Sequence, residues 1–466
     1  MLPQFFQRPC FTGVGHVAFD TNLGNRFPKK GEHVRSRIAA GVGIALVSAL
    51  LVAGCSGSGG SSDSGSSSGP VHLTLWDWDP NMNKVVALWN SSHPDIQVTM
   101  TNPAGGDQLV SKLITDHAAH NDPDLTKVEY QSLPALVSGG VVADITQYTA
   151  DTVKDYDATT LSQVKFQGKV YGVPQDFAPL MLYYRTDLFT QYGLTVPTTW
   201  SQFASEAATL HQKAPGVSMT NFDAADPGWF SGLAQQAGAN WWTSSGNTWH
   251  VAINDGPSKQ VAEYWQQLVQ AGDVATGPSF SPQWNKQMNT GALATWISGA
   301  WAPAQIGGIA PATKGKWAVA PLPQWTGGSQ STGIWGGSAT TVTTDSKHPQ
   351  QAAEFASWLN TNADAITSQV NNINIYPAAT SGRSLPVLAT PPPFFPGQQN
   401  FYDLVKQSAP HARTFQIWGP NVTVTFSSYT DSFDAALQTG SSFDNALTTM
   451  QNATVADMKK IGFSVS

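Results

Sequence analysis

A chain of 466 residues that is 41% apolar, 11% aromatic and only 12% charged stands far from the roughly 25% charge of an average globular protein and suits a large folded body with many rings. The formal charge of -7 becomes -11 from Cys55 onward, where 18 basic residues face 29 acidic ones. That balance excludes nucleic acid as a partner and an anionic membrane surface as a docking site, because both need clustered cations.

At the start of the chain, Arg35 and Arg37 precede an apolar run from Ile38 to Val52. The run is shorter than the roughly 20 residues of an ordinary membrane span and ends in small residues, the layout of an export signal. Residues 1–54 are therefore expected to be a leader. Residues 1–33 lie upstream of a sensible signal, so translation is expected to begin at Val34. The stretch Leu51-Val52-Ala53-Gly54-Cys55 resembles the bacterial lipobox, whose cysteine is acylated and becomes the mature N-terminus. Cys55 is thus the expected lipid anchor. Cys10 is the only other cysteine, which leaves the mature chain without a disulfide, a Cys-based zinc site or an internal catalytic thiol. Residues 55–69 are a Gly/Ser tether with a reach of roughly 20 Å.

From Pro70 strands and helices alternate. Val71 to Trp78 reads as a strand, Asn81 to Asn90 as a helix with Met82, Val85, Val86 and Trp89 on one face, and Ile96 to Thr101 as a second strand. A helix from about 107 to 119, a strand Leu125 to Tyr130 and a short helix Pro134 to Val137 follow. The order indicates an α/β lobe with a mainly parallel sheet. Lys169 to Gln175 and Leu180 to Tyr184 are two further strands, and Thr199 is the expected N-cap of a helix through Leu210. A Trp- and Gly-rich region of helices and turns runs to about Gly308. Beyond it come strands Lys316 to Leu322 and Ser338 to Thr344, and a helix Pro349 to Leu359. The tail from Phe401 to Lys460 reads as helical with an interruption at Val422 to Thr425.

The stretch Pro174-Gln175-Asp176-Phe177-Ala178-Pro179, followed by Leu182-Tyr183-Tyr184-Arg185-Thr186-Asp187-Leu188-Phe189, resembles the family 1 extracellular solute-binding proteins, the sugar-capturing lipoproteins of bacterial ABC importers. Leu73-Thr74-Leu75-Trp76, Pro123-Asp124-Leu125, Pro197-Thr198-Thr199-Trp200, Trp317 to Pro323 and Gly336-Gly337-Ser338 are family-like too, and all run in order. The resemblance implies an α/β, two-lobed periplasmic-binding-protein-like fold with a hinge and a ligand cleft. Lobe one is expected over 70–176 and 337–372, lobe two over 177–336 and 373–466. It further implies a non-enzymatic, monomeric receptor, lipid-anchored at the extracytoplasmic face of the cell membrane. Such a receptor delivers a carbohydrate to ABC permease subunits served by a separate ATPase.

Sugars present hydroxyls that need directional partners and ring faces that are apolar, so a sugar site combines flat aromatic surfaces with carboxylates and amides. Trp78 and Asp79 lie toward the carboxyl end of the first strand, where ligands bind in open α/β sheets. Glu129, Tyr130 and Gln131 end another strand and match the family loop that contacts ligand. Asp176 lies at the expected crossing between lobes, and Trp229, Phe230, Trp301, Trp335, Gly336, Gly337 and Ser338 match family positions that face the cleft. Trp89, Trp200, Trp265 and Trp358 sit on helical faces and are expected in the core. Only Arg185, Arg383 and Arg413 follow Cys55, so bidentate capture of phosphate or carboxylate has few candidates and a neutral sugar is favoured.

Two alternative readings are a glycoside-processing enzyme, with its acid and nucleophile among Asp77, Asp79, Glu129 and Asp176, and a ligand-free adhesion or scaffold lipoprotein. His117 and His120 stand at i, i+3, but no third ligand stands out in sequence, so a solvated helix face is expected there. Asp77-x-Asp79-x-Asn81 begins like a calcium loop, yet Met82 replaces the required glycine and Leu88 the closing glutamate. No metal and no cofactor are expected.

Overall fold

Leu73 and Leu75 alternate with exposed His72 and Thr74 along the strand Val71–Trp76, the two-residue period of a half-buried strand. This computed structural model describes residues 69–466 except 247 and 326–329. The leader, Cys55 and the tether up to residue 68 lie outside the described residues.

The first strand pairs in parallel with Ile96–Thr101 and Leu125–Glu129. Two later strands complete a five-stranded sheet in the order Ile96–Thr101, Val71–Trp76, Leu125–Glu129, Ser338–Val342, Val173–Asp176. Ser338–Val342 runs antiparallel to both of its neighbours, so the expected parallel sheet holds for its first three strands only. Met82–Ser92 covers this sheet with Met82, Val85, Val86 and Trp89 buried.

A second sheet is centred on Met181–Arg185, flanked by Thr295–Ser298 and Trp317–Pro321, both antiparallel to it. The helix Trp200–Lys213 starts where the Thr199 side chain accepts the Gln202 amide, a cap that contributes about 1 kcal/mol. Trp200 and Trp265 are buried, as is Trp89, while Trp358 is partly buried against the same core. The expected break at Val422 to Thr425 is instead the first turn of the helix Val422–Thr439. Its β-branched residues lower local helix propensity, but Val422, Thr425, Phe426, Tyr429 and Phe433 are all buried at helical spacing, and that burial decides the conformation.

The chain passes between the sheets in extended segments that hydrogen-bond one another. Phe177 N donates to Tyr376 O at 2.9 Å, Trp335 N to Ala178 O at 3.1 Å and Leu180 N to Gly333 O at 2.9 Å. Past Ile373 the chain stays with the first sheet's side for a further stretch. Thr380 N donates to Asp155 O at 2.7 Å and Arg383 Nη1 to Asp157 Oδ2 at 2.8 Å. Only then does it reach the second sheet, where Gln398 Oε1 accepts Val319 N at 2.6 Å.

Candidate functional site

A cavity of about 480 Å³ opens between the two sheets, inside the roughly 300–1,000 Å³ typical of small-ligand sites. It lies beyond the carboxyl ends of Val71–Trp76 and Leu125–Glu129, where such sheets leave a crevice.

One wall is polar. Strand geometry ends at Trp76, which frees the next three residues from strict alternation. Asp77 turns inward and is fully buried, while Trp78 and Asp79 both line the cavity. Asp77 Oδ1 accepts the Asp79 amide at 2.8 Å and its Oδ2 has no hydrogen-bond partner. Burial, then the neighbouring Asp79 charge, pushes the Asp77 carboxyl up to about 7. The buried ammonium of Lys127 is ion-paired with Asp79 Oδ2 and sits 4.7 Å from the Trp78 ring centroid. Burial works against the Lys127 charge, yet Asp79, Asp77 and Asp176 together hold it above its ordinary value. Asp176 accepts the Ser338 hydroxyl at 2.5 Å, and burial raises its carboxyl. Gln131 donates to Glu129 at 2.7 Å on the same wall.

The other wall is aromatic. Trp301 and Trp335 meet at 4.9 Å and 67°, and the Trp301 indole N–H donates to Trp335 O at 2.9 Å. Buried Trp296 lies behind both, 5.6 Å from Trp301 and 6.0 Å from Trp335. Phe280 extends the ring surface through Trp284 and Trp296. Edge-to-face contacts of this kind hold indoles in fixed orientations. Gly336 and Gly337 adopt φ of 80° and 88°. A Cβ at Gly337 would come within 2.8 Å of the Tyr130 ring, so glycine is what lets the chain turn from the aromatic wall into Ser338–Val342.

Of the residues singled out in the sequence, Trp78, Asp79, Glu129, Gln131, Asp176, Trp301, Trp335, Gly336, Gly337 and Ser338 line this cavity. Three lie elsewhere. Tyr130 is buried beneath the polar wall, its hydroxyl donating to Asp176 O at 2.9 Å. Trp229 packs in the core 4.9 Å from Trp265, and Phe230 packs there 5.2 Å from Phe433. The cause is the cap of helix Pro227–Ala237. The Asp226 side chain accepts Trp229 N, so Asp226, Pro227 and Gly228 face the cavity while the next turn points Trp229 and Phe230 inward.

Lys127, Phe280, Gln305, Ile375 and Phe426 also line the cavity and were not singled out. Lys127 lies within a strand whose first four residues are all buried, where alternation carries no signal. Phe426 is masked by the β-branched run that precedes it. None of the described arginines lines the cavity; Arg185 pairs with Asp187 and Arg383 with Asp157.

A sequence profile of the bacterial extracellular solute-binding proteins matches residues 77–366, and the chain belongs to that family. Among solved structures it is similar to the galacto-N-biose/lacto-N-biose I-binding protein of an ABC transporter from Bifidobacterium longum, in complex with lacto-N-biose. They share 31% identity over 86% of this chain and 100% of that one, with a TM-score of 0.78. It is also 26% identical to the arabinooligosaccharide-binding protein of Bacillus subtilis, over 66% of this chain and 72% of that protein. With the lactose-binding protein of Rhizobium radiobacter the identity is 26%, over 72% and 82% of the two chains. The fold is the two-lobed, hinged architecture expected from the sequence.

Proposed function

We propose that this protein is the receptor of an ABC importer and captures a neutral sugar or oligosaccharide, unmodified, between its polar and aromatic walls. The observation that carries this reading is the pairing of indole faces with carboxylates and amides around one cavity that has no uncommitted cation among its described residues. Its lining includes Asp79, Glu129, Asp176 and Asp226, and its one lysine, Lys127, is paired with Asp79. An anionic ligand would meet that excess of acid; a neutral one meets hydrogen-bond acceptors. The ligand-binding roles belong to the cavity-lining residues, with Tyr130, Trp229 and Phe230 supporting them from behind.

In this reading lobe one comprises residues 70–176 and 337 to about 383, an extension beyond residue 372 supported by the bonds of Thr380 and Arg383 to Asp155 and Asp157. The rest of the body forms lobe two. A ligand that touches both walls favours the closed state and so drives closure. In this reading the protein is a monomer held at the extracytoplasmic face of the membrane by acylated Cys55, and it hands its cargo to permease subunits whose ATPase is a separate chain.

The test is thermal unfolding of the purified protein against neutral mono- and oligosaccharides, with sugar phosphates and amino acids as controls. A ligand at 100 times its Kd adds about 2.7 kcal/mol of stability. A shift with a neutral sugar recovered intact by chromatography is the expected result. Hydrolysis of that sugar would make the protein an enzyme, and a shift confined to the anionic controls would overturn the neutral-ligand reading.

A further inference from the structure

Away from the cavity, at the amino end of Leu125–Glu129, the structure brings a third and a fourth polar residue to His117 and His120. The register of the antiparallel pair sets Leu125 against Val342. Beyond it Thr343 N donates to Asp124 O at 3.1 Å and Thr343 Oγ1 to Pro123 O at 2.6 Å. Past Thr343 the chain turns, with Ser346 N donating to Thr343 O at 3.3 Å, and Asp345 stands in that turn close to Asp122. Two carboxylates this close repel unless a counter-charge lies between them. His117, in the last turn of the helix Gly106–Ala118, projects from the negative end of the helix dipole, which also favours a cation.

We propose that His117, Asp122 and Asp345, with His120 as a fourth donor, form a binding site for a divalent transition metal of the zinc class. The donor atoms of His117, Asp122 and Asp345 all lie within 4.8 Å of one another. His117 Nδ1 is 2.9 Å from Asp122 Oδ2 and 4.0 Å from Asp345 Oδ2, and His120 Nδ1 is 2.7 Å from Asp345 Oδ2. Zinc bonds of about 2.0–2.2 Å in a tetrahedron space the ligand atoms about 3.3 Å apart, a value inside that range. The Asp122 side chain is fully buried, yet its Oδ1 has no hydrogen-bond partner. A buried carboxylate normally fills such a lone pair, and a coordinated cation does so without another donor. The mixture of imidazole and carboxylate suits zinc better than magnesium or calcium, which take oxygen ligands. Bound there, the ion ties the end of one helix to the start of one strand and to the turn after another. These groups sit at the opposite end of the strand from Glu129, so metal binding is separable from ligand binding in the cleft.

The experiment is zinc titration of the protein purified without a polyhistidine tag and stripped with chelator, in competition with a chromogenic chelator. One zinc per chain is expected, with a shell of nitrogen and oxygen only by X-ray absorption. His117→Ala and Asp345→Asn should each weaken binding at least tenfold, in keeping with the usual loss on disturbing a metal site. The His120 side chain is 82% exposed, so His120→Ala removes little packing and should weaken binding as well, with a melting curve as the check on its fold. Absence of zinc binding by the native protein, or binding unchanged in these variants, would overturn the proposal.

Discussion

The two walls of the cleft are made of different materials. The wall on the first sheet holds three buried or half-buried carboxylates, Asp77, Asp79 and Asp176, around the ammonium of Lys127. The wall on the second sheet is a stack of rings, Trp301 and Trp335 in front of Trp296 and Trp284. Position is fixed by electrostatics on one side and by ring packing on the other. The contrast teaches that the polar wall is the one whose rigidity depends on keeping its charges matched, whereas the aromatic wall offers surface without needing a counter-ion.

Removing the one cation is the severest way to break the polar wall. Lys127→Met leaves the carboxylates facing one another without a counter-charge, and urea denaturation should show a loss of roughly 3–5 kcal/mol, the range for breaking a buried pair. If stability survives, the wall is held by something else. On the aromatic side, Trp301→Ala should act mainly on affinity. Loss of one anchoring ring costs about 2 kcal/mol, roughly 30-fold in Kd, measurable by titration with whichever neutral sugar shifts the melting curve.

The polar wall should also respond to pH where the aromatic wall does not. The Asp77 carboxyl rises from 3.8 to about 7 on folding, so the native state holds a proton that the unfolded chain has released. Its contribution to stability is complete below pH 3.8 and is lost as pH rises toward about 7. Asp77→Asn keeps the acceptor for the Asp79 amide and should flatten that slope, leaving the variant more stable than the native protein above pH 7 in a pH series of melting curves. The smallest effect is expected from Gln131→Ala. It removes one amide from the edge of the polar wall and should lower affinity by about 1 kcal/mol, roughly fivefold.

Local pattern announced much of this. The helical spacing of Met82, Val85, Val86 and Trp89, the Thr199 cap and the residues just past the strand ends at Trp78, Asp79 and Glu129 all follow from rules that span a few neighbours. What stayed hidden depends on partners far along the chain. Lys127 is legible only once Asp79 lies against it, Phe280 only once Trp284 and Trp296 form a ring surface, and Asp345 only once the turn after Ser338–Val342 carries it to Asp122. Trp229 and Phe230 show the converse. Their helix reaches the cavity, but the capping geometry at Asp226 turns it so that its first residues, and not its rings, meet the cavity.

The place of Ser338–Val342 in the first sheet bears on how the molecule assembles. It fills the slot between Leu125–Glu129 and Val173–Asp176, strands made more than 150 residues earlier in the chain. A nascent chain that has not reached residue 338 carries two strand edges with no partner, the kind of surface that pairs with other chains. The first half of the protein therefore cannot complete its own sheet, and folding waits on a contact of long sequence separation, which makes it slow. A truncation in the second half is therefore expected to appear as aggregation of the first.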